Sequence, residues 1–597
     1  MQTLANNLLI LKFSLLVLAQ CFLTSCSSGN SSGSSLNMAP QIQTTVGVVQ
    51  GLARTYNVPA STASYTVYEY RGIPYAKAPI GDLRWALPRP VTSLGDGVFQ
   101  AYDFGPACPQ NPRAGSPEKY VNEDCLSINV TIPADIRDGE KLPVFFWIHG
   151  GAFVGGSSNL YRLDKLANDG RIIVVSSNYR LGVLGFMAND AFAINGYNGN
   201  YGLEDQRLAM KWVQDNIANF GGDKNNVTIA GESAGAGSVC MHLASPNQTV
   251  SQSNVKLKDL FQKAITQSGG CMQTLPTVAE GSVKMASIQE SLCPTISNPT
   301  NAAILACMRS QSVENILNAQ EVYARANSTD VTAISPVTGL GSYTVPLSFK
   351  DASAADQLVN VPMIMGGTKS ELVLYVGYFW QAAPDSINAS TIDNWLNAFY
   401  SVTTPVGGLA AIKAQYPDLL SADSNVVAET YGQALSDYNP QLGINNCLFL
   451  YTSDTILGTP SRSNPIYQFE FADPNAPVCG VGMELPCAPF PLGPVHSSEL
   501  NYFFPNLSFT SKINASDLTP ASQKLANQMV SYWTNFVRTG NPNQSDLPQW
   551  PIYSGATQAY GGASVLLLEP DNVRTYNSDT QHKCTAFWRG QYPSKLH

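Results

Sequence analysis

The chain has 597 residues, of which 44% are hydrophobic and only 13% charged, with a formal net charge of −9 at pH 7. That is ample apolar material for a large core, so disorder over most of the length is excluded. The acidic balance argues against nucleic acid as a partner, which would want a basic face.

At the N-terminus Lys12 precedes the apolar run Phe13–Leu23, too short to span a bilayer and the right length for a signal-peptide core. Leu23-Thr24-Ser25-Cys26 then resembles the site where bacterial lipoproteins are cut and lipidated on cysteine. Ser27–Ser35 is Ser/Gly-rich, as a flexible tether is. The expected organisation is a leader over 1–26, a tether over 27–44 and a single α/β domain over 45–597. Two readings of Cys26 stand: attachment to a bacterial membrane through a lipidated Cys26, or an ordinary signal peptide with Cys26 incidental. Both imply export, to the periplasm, the cell surface or the medium. Of the 12 cysteines, Cys21 and Cys26 fall in the leader, and the even remainder of an exported chain predicts disulfides. No CxxC pair or clustered His/Cys spacing points to a metal.

Further along, Val144–Ile148, Ile172–Ser176, Val227–Ala230, Ala264–Thr266 and Val361–Met365 read as buried parallel strands. A helical pattern over Glu204–Asn219, with Leu208, Met210, Trp212, Val213 and Ile217 apolar, lies between two of them. Strands alternating with helices predict a large, mostly parallel sheet covered on both faces. The region from about 380 to 460 is helix-like and is expected to cap that sheet.

Gly231-Glu232-Ser233-Ala234-Gly235 fits G-x-S-x-G, directly after one predicted strand and at the opening of a helical stretch. In such a nucleophile elbow the serine sits on a sharp strand-to-helix turn, so its close neighbours must be small. The turn exposes the Ser233 hydroxyl and aims the Ala234 amide and the helix N-terminus at a developing oxyanion. Upstream, His149-Gly150-Gly151-Ala152-Phe153 follows a strand, and its paired glycines let backbone amides approach a substrate oxygen. Gly151 and Ala152 are expected to join Ala234 as oxyanion donors, with His149 bracing the loop.

Phe220–Gly235 matches in full the active-site signature of the type-B carboxylesterase/lipase family, and Glu123–Val130 resembles its second signature with Ser127 in place of the usual Tyr or Thr. Arg71–Lys77, Asn178–Gly182, Gly202–Gln206, Gln267–Gly269 and Trp533–Phe536 with Gly540–Pro542 are similar to other family landmarks. The resemblance runs from about residue 45 to 592. It implies the α/β-hydrolase fold and serine-dependent hydrolysis of carboxylic esters, with no metal or organic cofactor and a small ester as substrate. Members that lost the catalytic residues and act only in adhesion, and lipases with a lidded pocket, are the alternatives. Cholinesterases hold choline with a tryptophan in the loop of their first disulfide; the matching stretch Cys108–Cys125 has none, which discounts choline esters.

A serine hydroxyl needs a base, and the chain has only 5 histidines. His242 lies on the elbow helix, while His582 and His597 sit at the end of the chain. His496, in Gly493–Glu499, remains and matches the family's loop histidine. The acid lies between: Glu371 follows the strand Val361–Met365, in Ser370-Glu371-Leu372 where the family usually has Asp-Glu-Gly. Glu371 is expected to orient His496 and stabilise its imidazolium without taking the proton. Glu232 and Glu499 are expected as supporting carboxylates around them. The resemblance implies a Cys108–Cys125 disulfide. Cys293–Cys307, Cys447–Cys584 and Cys479–Cys487 are the other expected pairs, with Cys240 and Cys271 left open between a bond and buried thiols.

Overall fold

A computed structural model describes residues 37–57, 63–111, 121–193, 196–296, 299–327, 334–400, 404–477, 488–505, 507, 518–555 and 564–593. The leader with Cys26, and the expected pair Cys479 and Cys487, lie outside the described residues.

One continuous sheet organises the chain. Its first strands are β1 (Met38–Thr44), β2 (Gly47–Asn57), β3 (Ser64–Pro74), β4 (Val98–Gln100) and β5 (Ser127–Pro133). The middle is β6 (Leu142–Ile148), β7 (Ile173–Ser177), β8 (Gly222–Glu232), β9 (Lys263–Gln267) and β10 (Met363–Thr368), the five strands expected from apolar runs. β11 (Ile466–Phe471), β12 (Ser564–Leu568) and β13 (Arg574–Asn577) complete it. The spatial order is β1-β2-β3-β5-β7-β6-β8-β9-β10-β11-β12-β13, with β4 beside β2. From β7 through β12 every neighbouring pair is parallel.

Because side chains alternate across a strand, the apolar runs feed two cores. Phe145, Trp147, Val174, Ile364 and Phe469 face one side, where Trp533 and Trp550 pack. Phe146, Ile148, Val175, Ile229 and Met365 face the other. All residues of β6, β7, β9, β10 and β11 are buried, the signature of strands covered on both faces.

Among the helices, α1 (Tyr201–Asn216) and α2 (Ala234–Leu243) flank β8, and α3 (Val373–Ala382) follows β10. α4 (Pro520–Thr539) opens with Thr519 accepting the Ser522 amide and Pro520 in its first turn, and ends at Gly540 with φ 78°. The expected helical region contains Ile392–Tyr400, Gly408–Gln415, Ser424–Asp437 and Asn446–Leu457. Asn446–Leu457 packs on β10 and Ser424–Asp437 on α3, so this layer does cover the sheet.

One expectation needs correction, and one open alternative resolves. Residues 38–44, read as the end of the tether, form the strand β1: it pairs antiparallel with β2 and buries Ala39 and Thr44. Cys240 and Cys271, left open, are bonded, with Cα atoms 5.0 Å apart. Cys108–Cys125, Cys293–Cys307 and Cys447–Cys584 pair as expected. Among the described residues no helix is long and apolar enough to cross a membrane.

Candidate active site

The site gathers at the carboxyl ends of the parallel strands, where α/β sheets collect their ligands. Ser233 follows β8, Gly150–Phe153 follows β6, Glu371 follows β10, and His496 is on the long connection after β11.

Ser233 has φ 56° and ψ −123°, a conformation that L residues rarely adopt, and it caps α2. The turn closes only because its neighbours lack side chains. A Cβ on Gly231 would sit 2.5 Å from the Gly235 carbonyl carbon, and one on Gly235 would sit 2.0 Å from the Ile148 oxygen. The Ser233 amide donates to the Gln267 carbonyl at 2.9 Å, tying the elbow to the end of β9.

The structure brings Ser233, His496 and Glu371 into one line. Ser233 Oγ lies 3.0 Å from His496 Nε2, and His496 Nδ1 lies 2.7 Å from Glu371 Oε2. The other oxygen of Glu371 accepts the Thr368 amide at 2.7 Å, and its backbone carbonyl accepts the His496 amide at 3.2 Å. Glu371 is fully buried and His496 is 5% exposed, so water competes little for these bonds.

The glycine loop lies directly beside the elbow: a Cβ on Gly150 would come 3.1 Å from the Ser233 Cβ. Gly151, Ala152 and Phe153 all have positive φ, and the Gly151 carbonyl accepts the amides of Val154 and Gly155. His149 is fixed within this loop. Its ring stacks on Tyr179 at 4.3 Å, and its Nδ1 reaches the Gly150 carbonyl at 2.8 Å. Burial lowers its pKa to about 4, keeping it neutral. His242, also buried, bonds Gln206 at 2.8 Å.

Three carboxylates surround the one imidazole. Burial opposes the charge on His496, but Glu232, Glu371 and Glu499 outweigh it and push its pKa up to about 9. Glu232 Oε1 lies 3.3 Å from His496 Nε2. Burial raises the pKa of Glu499 to about 8, with Glu232 and Glu371 adding to it. Glu232 stands nearest to Nε2 of the imidazole and Glu371 nearest to Nδ1.

Gln267 was legible only as part of a landmark, and its side chain links this network to the core. Its Nε2 donates to Glu499 Oε1 at 3.2 Å and its Oε1 accepts from Trp533 Nε1 at 3.1 Å. Tyr375 on α3 adds an aromatic wall, its ring centroid 6.1 Å from that of His496. Among the described residues no cluster of His, Cys, Asp and Glu is arranged to hold a metal ion.

Residues 38–587 match the sequence model described as the Carboxylesterase family. The chain is 30% identical to para-nitrobenzyl esterase of Bacillus subtilis (strain 168), over 84% of this chain and 92% of that protein. It is 29% identical to acetylcholinesterase of Electrophorus electricus, over 93% of this chain and 88% of that one. A solved structure of a thermophilic pNB esterase superimposes with a TM-score of 0.68 at 27% identity, covering 93% of this chain and 99% of its own.

Proposed function

This chain belongs to the carboxylesterase family and is a hydrolase of carboxylic esters on the α/β-hydrolase fold, and we propose that Ser233, His496 and Glu371 are its nucleophile, general base and orienting acid. The observation that carries the proposal is the unbroken relay from Ser233 Oγ through both nitrogens of His496 to Glu371, at 3.0 and 2.7 Å.

In this mechanism His496 Nε2 takes the Ser233 proton as Oγ attacks the ester carbonyl. The Gly151, Ala152 and Ala234 amides receive the oxyanion of the tetrahedral intermediate. His496 Nε2–H then protonates the leaving alcohol, and the acyl group remains on Ser233. Water, deprotonated by the same nitrogen, attacks the acyl-enzyme; the acid is released as the acyl–Oγ bond breaks and Nε2–H returns its proton to Ser233 Oγ. Glu371 keeps the proton on Nδ1 throughout, which leaves Nε2 able to accept a proton at the start of each half-reaction, without becoming protonated itself.

The test is active-site labelling. A fluorophosphonate probe should tag the purified wild-type enzyme at Ser233 and leave Ser233→Ala untouched, with p-nitrophenyl acetate hydrolysis lost in step. Labelling or comparable hydrolysis in Ser233→Ala would overturn the assignment.

Export forms the second part of the reading. Four disulfides among the described residues suit an oxidising compartment, and the leader sequence supplies the route, with Cys26 as the lipidated residue of a bacterial protein. Three acyl chains at about 0.8 kcal/mol per buried CH₂ hold a protein on a membrane without a spanning helix. In a Gram-negative host the wild-type protein should enter the detergent phase of a Triton X-114 extraction and Cys26→Ser should leave it. A wild-type protein found in the aqueous phase rules the anchor out.

A further inference from the structure

The residue after His496 is left-handed without being glycine. Ser497 has φ 67°, a region costly for an L side chain. Its hydroxyl donates to Glu232 Oε1 at 2.5 Å. That oxygen is the one 3.3 Å from His496 Nε2, the nitrogen that also lies 3.0 Å from Ser233 Oγ. One nitrogen therefore faces two oxygens: the hydroxyl it must activate, and a buried carboxylate that would hold its proton. The other Glu232 oxygen packs against the glycine loop, where a Cβ on Gly150 would come within 2.7 Å of it.

We propose that Ser497 is a positioning residue of the ester-hydrolysis site: its hydroxyl occupies Glu232 Oε1 and so keeps His496 Nε2 directed at Ser233. The proposal rests on the reading of His496 as the base. Other groups share the pocket. Glu371 faces His496 from the end of β10, Glu499 from the same loop as Ser497, and the Tyr375 ring from α3. Tyr161 and Tyr179 lie near enough to feel the charge of Glu232. Glu232 and His496 act as a pair whose last proton leaves at a pH set by how well the carboxylate is satisfied. The Ser497 hydroxyl and His496 Nε2 share Glu232 Oε1, so without the hydroxyl that oxygen is free to hold the proton on Nε2, and His496 loses it less readily. The active, neutral form of His496 then appears only at higher pH.

The experiment is a pH profile of kcat/KM for p-nitrophenyl acetate with Ser497→Ala and Ser497→Gly, each in the wild-type and the Glu232→Gln background. Both substitutions should move the acid limb upward by about one pH unit, the scale of one hydrogen bond to a charged group. Neither should move it in the Glu232→Gln background. Ser497→Gly suits the backbone conformation, so it folds whether or not the alanine variant does, and it removes the hydroxyl alone. A limb unchanged or shifted to acid in Ser497→Gly, or the same shift with Glu232→Gln, overturns the proposal. Hydrolysis retained in Ser233→Ala would instead overturn the reading of the site.

Discussion

Nδ1 of His496 and Oε2 of Glu371 lie 2.7 Å apart, and neither residue is more than 5% exposed. A hydrogen bond in such surroundings fixes both the tautomer and the orientation of the ring. Two substitutions separate these contributions. His496→Ala removes the base itself and should cost about 10⁶-fold in kcat, whereas Glu371→Gln removes only the orienting charge and should cost about 10⁴-fold. Steady-state kinetics on both variants checks the order; a Glu371→Gln loss under tenfold would contradict the relay.

Burial pushes the pKa of Glu499 up to about 8 and so favours its neutral form, with Glu232 and Glu371 adding to that effect. Glutamine is then close to its natural state, since the amide oxygen still accepts from Gln267. Glu499→Gln should stay within about threefold of wild-type activity, because a matched neutral group preserves the buried hydrogen bond. A loss beyond a hundredfold would mean that the carboxylate works ionised.

The pH profile follows from the signs around His496. A base must be neutral to act, and its neighbours raise its pKa from 6.5 towards about 9. Activity should therefore rise with pH along a limb whose midpoint lies above the free-imidazole value. A kcat/KM profile flat from pH 6 to pH 9 would be incompatible with this.

His582 occupies a second buried site that needs no catalytic role. Its Nδ1 lies 2.6 Å from Asp437 and its Nε2 3.0 Å from Glu470. Burial opposes its charge, but these two carboxylates prevail and raise its pKa to about 10. For a histidine raised on folding, the stabilisation is complete below 6.5 and is lost as pH rises to about 10. Replacing it by alanine strands two buried carboxylates and should cost about 3–5 kcal/mol at pH 6. The gap between His582→Ala and wild type in chemical denaturation should narrow steadily from pH 6.5 upward. A gap that stays constant with pH contradicts the charged clamp.

The Cys240–Cys271 bond ties the middle of α2, the elbow helix, to the chain just past β9 across 31 residues. Loop-closure entropy assigns it about 3–4 kcal/mol. The double variant Cys240→Ala/Cys271→Ala should unfold at correspondingly lower denaturant; an unchanged midpoint would show that the bond adds nothing to folding.

What the sequence by itself determined was local. The nucleophile elbow, the paired glycines after β6 and the five central strands are each written within a few consecutive residues. Their cause is local too: a turn that only Gly231 and Gly235 can close, or a run such as Val144–Ile148 that must be buried on both faces. The edge strands β1 to β3 were not legible, because they are partly exposed and mix polar with apolar residues in no clean alternation. The candidate base and acid came from family likeness and from a short roster of histidines, not from any local pattern. The Cys240–Cys271 pairing, the His582 clamp and the Ser497–Glu232 bond were decided by the tertiary structure alone. Ser497 and Glu232 are 265 positions apart, and no spacing rule links residues that meet only when separate strands end at the same edge of a sheet.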